Sequence, residues 1–372
     1  MGCPAGIGPE IILRLHRQQV ETGLSRPAYP AVSQRPGSSL ALVPTPTSGS
    51  IPTPAPALAS ALTPGLSPPP TMVVLGDIGV LAERAHRLQI KVNLQPWQPG
   101  MVPVTTALNV LPLSTLNPIP APAQPTPVSG RAMGTYIERA VSLLLTSELA
   151  AMVTCPIGKD MLNAGGYHYP GHTEMLAALC NGRKYAMMMA GKRLRVTLLS
   201  IHRPLAAVPA AINEEAVVRL ILLTAASLRR DFAILNPRIA VAALNPHAGE
   251  GGMFGDEEAK IIAPAIARTV AEASGEFTVS GPRPPDTVFH QAARGDYDAV
   301  VAMYHDQGLI PFKLLHFQDG VNLTIGLPIV RTSVNHGTAY DIAGTGLADH
   351  ASLRAAFDLA AQIVVNREMT NQ

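Results

Sequence analysis

Short apolar runs alternate with longer stretches of helical period along this chain. MVVLGD at 72–77, AAMVTCP at 150–156, LRVTLLSIH at 194–202, RIAVAALNPH at 238–247 and DAVVAMYHDQG at 298–308 show no strict apolar–polar alternation. Strands buried on both faces read this way, and such strands belong to largely parallel sheets. Between them, Gly130–Leu149 places Met133, Ile137, Val141 and Leu144 at a spacing of 3 to 4, the period of an amphipathic helix. Further helices are predicted over Asn213–Arg230 and Asp256–Ala273. The second opens with Asp256, Glu257 and Glu258, where the helix dipole favours acids. The predicted class is α/β.

Two segments interrupt the alternation. Residues 25–70 are dominated by Pro, Ser, Thr and Ala, a composition that nucleates no helix and denies a sheet its amide donors, so a flexible surface insertion is expected. Pro112–Pro127 is a second Pro-rich connection, placed as a domain crossover. With the insertion set aside, 372 residues suit two domains of about 150 residues each, and a hydrophobic content of 47% is enough to fill their cores. The formal charge of +2, without any block of five like charges, argues against nucleic acid or a membrane surface as a partner. Val196–Ile201 and Ile239–Leu244, among the longest apolar stretches, fall far short of the roughly 20 residues of a membrane span. The opening MGCPAGIGPE lacks the pattern of a secretory signal. Cys3, Cys155 and Cys180 are an odd set without CxxC spacing, which suits a reducing compartment; a cytoplasmic protein is expected.

The run from Ala299 to Gly346 follows neither period. His305, Asp306, Lys313, Asn322, Arg331 and His336 interrupt apolar sequence at irregular intervals, as residues gathered for a site do. Three predicted strands end in histidine, at His202, His247 and His305. Functional groups collect beyond the carboxyl ends of strands in open α/β sheets. Three imidazoles with positions left open form the donor set of a catalytic divalent metal, the alternative being that each ring closes its own loop by hydrogen bonding. His172 and Thr173, in the PGHTE that follows Lys159, suit an anionic substrate oxygen, unless Thr173 only caps a helix. Lys313, Asn322 and Arg331 offer two fixed positive charges and an amide to a small molecule bearing phosphate and carboxylate. Cys155 has no dedicated base nearby in sequence and reads as core. The glycines of Asn245–Gly252, with Gly6 and Gly8 ahead of Pro9, mark turns where backbone can approach a ligand closely.

In order along the chain, PAGIGPEI (4–11), GHTE (171–174), LNPHAGEGG (244–252), GPxPxDT (281–287), YHDQGLIPxK (304–313), VNxTxGLP (321–328) and RTSVxHGTAxDIAGxG (331–346) resemble the 4-hydroxythreonine-4-phosphate dehydrogenase family of vitamin B6 biosynthesis. The segment HGTAYDIAGTGLAD also resembles the cofactor loop of isocitrate and isopropylmalate dehydrogenases, whose two-domain fold that family shares. The resemblance implies two α/β/α domains with the active site in the cleft between them. One, on the cofactor side, would comprise residues 1–128 and about 325–372; the other, about 129–324, would carry metal, substrate and dimer contacts. It further implies that His202, His247 and His305 bind one divalent metal (zinc, magnesium or cobalt). His172, Thr173, Lys313, Asn322 and Arg331 would contact the substrate, and His336, Gly337, Thr338, Gly344 and Asp349 would hold NAD or NADP. Asp286 and Asp306 become the catalytic candidates, as proton-transfer groups or as carboxylates that fix the tautomer of a metal-binding imidazole. The implied reaction oxidises 4-phosphohydroxy-L-threonine to a β-keto acid that loses carbon dioxide. The family's homodimer shares its sites, so that His202 of one subunit would meet His247 and His305 of the other.

The chain departs from the family pattern in three ways. Cys3 stands where Asp is usual, Asn335 replaces the Asp of SVDHGTA, and the strand that precedes GDPAGIGPE is missing. Two other readings accompany the first: a paralogous dehydrogenase for a threonate or erythronate phosphate, and a degenerate protein that binds metal and ligand without turnover. A zinc hydrolase would leave the HGTAYDIAG loop unexplained.

Overall fold

The computed structural model describes residues 1–22, 70–273 and 275–370; apart from Pro70, the expected insertion lies outside them. The chain begins with α1 (Gly8–Thr22), β1 (Val73–Gly76), α2 (Ile78–Arg87), β2 (Leu94–Pro96), β3 (Leu108–Pro112) and α3 (Pro127–Leu145). There follow β4 (Met152–Thr154), α4 (Lys159–Ala164), α5 (His172–Leu179), β5 (Ala186–Ala190), β6 (Arg195–Leu198), α6 (Glu214–Phe232) and β7 (Arg238–Ala242). The chain continues through α7 (Ala263–Glu272), β8 (Thr278–Arg283), α8 (Pro285–Ala293), β9 (Ala299–Ala302), α9 (His305–His316), β10 (Val321–Ile325), β11 (Arg331–Val334) and α10 (Ala351–Thr370).

Local chemistry sets these bounds. Asn213 caps α6 through the Ala216 amide, Glu214 and Glu215 occupy its first turn, Arg229 and Arg230 its last, and Ala233 closes it at φ 55°; each charge lies at the pole of the dipole that favours it. The stretch expected as one helix over 256–273 is a π turn, Glu258–Ile262, leading into α7. Pro264 has no amide to donate to the Lys260 carbonyl, so the regular ladder cannot run through this point.

The strands form a parallel sheet β1-β3-β2 and an eight-stranded sheet ordered β4-β11-β10-β5-β6-β9-β7-β8. The apolar runs predict parallel pairing, which holds for β6-β9-β7-β8 and for β4-β11. β5 and β10 are antiparallel to each other and to their outer neighbours. The connections 191–194 and 326–330 are of hairpin length, whereas a parallel crossover needs roughly a dozen residues or more. One face of this sheet packs on α6, α7 and α10 through Val217, Ile221, Ile239, Val241, Val301 and Ile363; the other packs on α8 and α9 through Val196, Val300, Val288, Phe289 and Phe312. The alternation of Val300 and Val301 between the two cores is the strand period itself. A third cluster joins α1, α2 and the small sheet to Cys155 and Val334. No described helix is long and apolar enough to cross a membrane.

For the site, the decisive feature is that β6, β9 and β7 are adjacent and parallel, with Val196 opposite Val300 and Val241 opposite Val301. The segments carrying His202, His305 and His247 therefore leave the sheet at one edge.

Candidate active site

Arg331, the first residue of β11, is 2% exposed. Its Nε and Nη2 donate to Thr154 Oγ1 at 3.1 and 2.7 Å, and its Nη1 donates to Thr324 Oγ1 at 3.0 Å. Hydroxyls orient the guanidinium without neutralising it. Burial pulls its pKa down to about 9, with Glu174 acting against that shift. Burial, reinforced by Arg331 and Lys159, holds the His172 imidazole well below its ordinary range. His202 is lowered by burial and Lys159, with Glu174 opposing and His305 adding a small repulsion. Lys159, His172, Glu174, His202, His305 and Arg331 thus lie within one electrostatic field.

The rings of His202 and His305 are 6.1 Å apart between centroids. His305 Nδ1 lies 2.6 Å from Asp306 Oδ1. A carboxylate on one ring nitrogen leaves the lone pair of the other free, the arrangement found behind metal-binding imidazoles. His247 does not join this pair. It sits in a left-handed stretch from His247 to Gly251, with Glu250 Oε2 at 3.5 Å and the Phe254 ring at 6.2 Å. Glu258 anchors that loop by accepting the Leu244 and Asn245 amides, each at 2.8 Å. Among the described residues no three His, Cys, Asp or Glu side chains converge as a metal site within one chain.

The other expected residues are placed as follows. Thr173 is buried in α5, and Lys313 lies half-buried on α9. The Asn322 Oδ1 on β10 is buried without a hydrogen-bond partner. Asp286, exposed, opens α8, a helix packed against the His247 loop. In the glycine-rich loop, His336 Nδ1 meets the Gly337 carbonyl at 3.0 Å while its Nε2 is buried without a partner. A side chain added at Gly337 would meet nothing within 4 Å. Thr338 presents its carbonyl to the Ile7 amide at 3.1 Å. Gly344 adopts φ 75°, and Asp349 accepts the Ala351 amide at the start of α10, 2.8 Å away. Cys155 is buried and its thiol is pushed up to about 11, which suits core and not a nucleophile.

Sequence reasoning placed neither Lys159 nor Glu174 in the site. Glu174 stood in plain view within GHTE, and Lys159 follows directly from the carboxyl end of β4. A Cβ at Gly158 would lie 2.6 Å from the Tyr340 hydroxyl oxygen, so this glycine lets the glycine-rich loop rest directly against the Lys159 turn. The Lys159 turn and the expected cofactor loop meet there.

The family model for the pyridoxal phosphate biosynthetic protein PdxA matches residues 69–360. A 4-hydroxythreonine-4-phosphate dehydrogenase of Desulfosudis oleivorans is 51% identical over 296 residues, 77% of this chain and 85% of its own. One from Geobacter metallireducens is 57% identical over 239 residues, 64% and 69% respectively. Among solved structures, the 4-hydroxythreonine-4-phosphate dehydrogenase of Klebsiella pneumoniae superposes with a TM-score of 0.76 at 36% identity, covering 98% of both chains. A terephthalate 1,2-cis-dihydrodiol dehydrogenase from Burkholderia xenovorans does so with 0.59 at 26% identity, covering 97% of this chain and 96% of that one.

Proposed function

The chain belongs to the PdxA family of pyridoxal phosphate biosynthetic proteins, and from that premise we propose that it oxidises 4-phosphohydroxy-L-threonine, using NAD or NADP and a divalent metal, to 2-amino-3-oxo-4-phosphooxybutanoate. That β-keto acid then loses carbon dioxide to leave 3-amino-2-oxopropyl phosphate. The observation that carries this reading is the grouping of a buried, hydroxyl-held Arg331 with His172, Lys159, Glu174 and the His202–His305 pair.

The residues fit both groups. His202 and His305 are paired imidazoles, with Asp306 on the Nδ1 of one, and His247 of a second copy would complete the donor set. A zinc, magnesium or cobalt ion there would supply Lewis acidity toward the C3 alcohol. The partnerless Nε2 of His336 and the open space at Gly337 suit the dinucleotide, which would supply the two-electron acceptor.

The protein's own groups do the rest. Arg331 and Lys313 hold phosphate and carboxylate, and the unpaired Asn322 Oδ1 accepts from the substrate amine or a hydroxyl. His172, kept neutral, offers one N–H and one lone pair beside Thr173. Asp306 would fix the His305 tautomer, and Asp286, on the helix that packs against the His247 loop, would act on that side. Together they align one carbon–hydrogen bond, converting binding into orientation.

The exposed apolar stripe of Ile310 and Leu314 on α9 and Phe317 just past its end, with Met253 and Phe254 after the His247 loop, supports a homodimer that brings His247 to its partner's histidine pair. The free state of Cys3, Cys155 and Cys180 supports a reducing, cytoplasmic setting.

The test is dinucleotide reduction by purified protein supplied with 4-phosphohydroxy-L-threonine, with and without chelator, and with threonate and erythronate phosphates in parallel. Turnover of the first substrate, abolished by chelation and restored by metal, is expected. Full activity in metal-free protein, or preference for a phosphate lacking the amine, would overturn the assignment.

A further inference from the structure

The motif Pro4–Ile11 has no part in the reaction described above, yet it builds the start of α1 against the glycine-rich loop. Glu10, in the first turn, is 0% exposed. Its Oε2 accepts the Gly344 amide at 3.1 Å and its Oε1 accepts the Ala348 amide at 3.2 Å. Arg14, one turn on, lies 3.5 Å from Glu10 and donates to the Gly346 carbonyl. A further turn on, Gln18 Oε1 faces His350 Nε2 at 3.1 Å. Positions 10, 14 and 18 share one helix face, and that face follows the loop from Gly344 to His350. Upstream, the Ile7 amide holds the Thr338 carbonyl at 3.1 Å.

A fully buried carboxyl group is costly unless its oxygens are satisfied. Here both are, by backbone amides of a loop in which Gly344 and Gly346 take left-handed φ values of 75° and 85°. Glycines in that region leave a loop free to adopt many shapes unless something holds it. We propose that Glu10 is a positioning residue for the dinucleotide, with Arg14 and Gln18 extending its hold: the α1 face presets the loop so that binding need not order it. Presetting acts on affinity, because a loop ordered beforehand gives up less freedom on binding. The proposal rests on the reading of 336–349 as the dinucleotide loop.

Glu10→Gln keeps the shape but turns an amide donor toward one of the two backbone N–H groups. Its KM and Kd for the dinucleotide should rise about tenfold or more, while kcat at saturating dinucleotide and KM for the phosphorylated substrate stay close to wild type. Glu10→Asp, which keeps both acceptors on a shorter stem, should recover part of the loss. Arg14→Met, on a side chain 27% exposed, should show the same pattern more weakly and serves where Glu10→Gln fails to fold. A folded Glu10→Gln or Arg14→Met protein that binds dinucleotide as wild type does would overturn the clamp alone. A wild-type protein that binds no dinucleotide in the same titration would overturn the reading of the loop, and the clamp with it.

Discussion

Arg331 concentrates a tension between stability and the substrate-binding role proposed for it. A buried guanidinium whose hydrogen-bond partners are the hydroxyls of Thr154 and Thr324 is expensive to fold around, since burial of a charge is offset fully only by a countercharge. Arg331→Met should therefore leave unfolding free energy within about 1 kcal/mol of wild type, while loss of a charged hydrogen bond raises KM for the phosphorylated substrate roughly ten- to hundredfold. Urea melts and steady-state kinetics on one preparation decide it; equal collapse of both would make Arg331 a structural post. His16 provides a second test. It is buried in α1, and burial lowers its pKa. Above the unfolded value of about 6.5 both states are neutral and the group contributes nothing; as pH falls below that, the unfolded chain takes up a proton that the folded one resists, so stability is lost. His172 and His350 are lowered too and act with the same sign. The urea midpoint should fall between about pH 7.5 and 5.5, less steeply in His16→Gln; an unchanged slope would remove His16 from the account.

The loop after β7 shows how an element can depend on one side chain. Five successive left-handed residues, His247 to Gly251, persist because Glu258, itself in a π turn, receives the Leu244 and Asn245 amides while Asn245 Nδ2 reaches Glu257 and Glu258. Glu258→Ala strands two amides and should cost about 2–4 kcal/mol, read in urea denaturation together with lower metal occupancy; a loss below about 0.5 kcal/mol would show the loop holds itself. Much of this level was legible in the sequence. The runs expected to end in His202, His247 and His305 do contain strands, but these stop at Leu198, Ala242 and Ala302, and His305 opens α9. Asn213 is a helix start as expected, because burial and capping are written in local spacing. β5 and β10 escaped notice: Met187–Met189 carries no period, and only the sheet shows that a hairpin reverses there. Lys159 and Glu174 escaped for a different reason, since their nearness to Arg331 and His202 arises from strand order and not from any local interval. His247 lies five residues beyond the end of β7, in the Pro246–Gly252 turn, and the expected position at a strand end could not show that this loop turns away from the other two rings.

At the scale of the whole molecule, the resemblance pointed to His202 facing His247 and His305 of another subunit, whereas the structure pairs His202 with His305 in one chain and leaves His247 apart. The complementation test changes accordingly. Inactive His202→Ala and His247→Ala proteins, mixed under proven subunit exchange, should regain some activity, because in the proposed homodimer one site of each mixed pair would keep all three imidazoles. His202→Ala mixed with His305→Ala should not, since both lesions fall on the same half-site. Recovery in the second mixture, or none in the first, would reject this division. The contact of Gly158 with Tyr340 bears on the order in which such a protein fills. Tyr340 belongs to the loop that α1 grips, and Gly158 immediately precedes Lys159, so this seam would touch both of the ligand territories proposed above. Any coupling it carries must be reciprocal: whatever factor the dinucleotide imposes on substrate affinity, the substrate imposes on the dinucleotide. Binding isotherms taken in both orders must close the same thermodynamic square, and a Gly158→Ala protein, its seam wedged open by one methyl group, is where that shared factor should fall toward one.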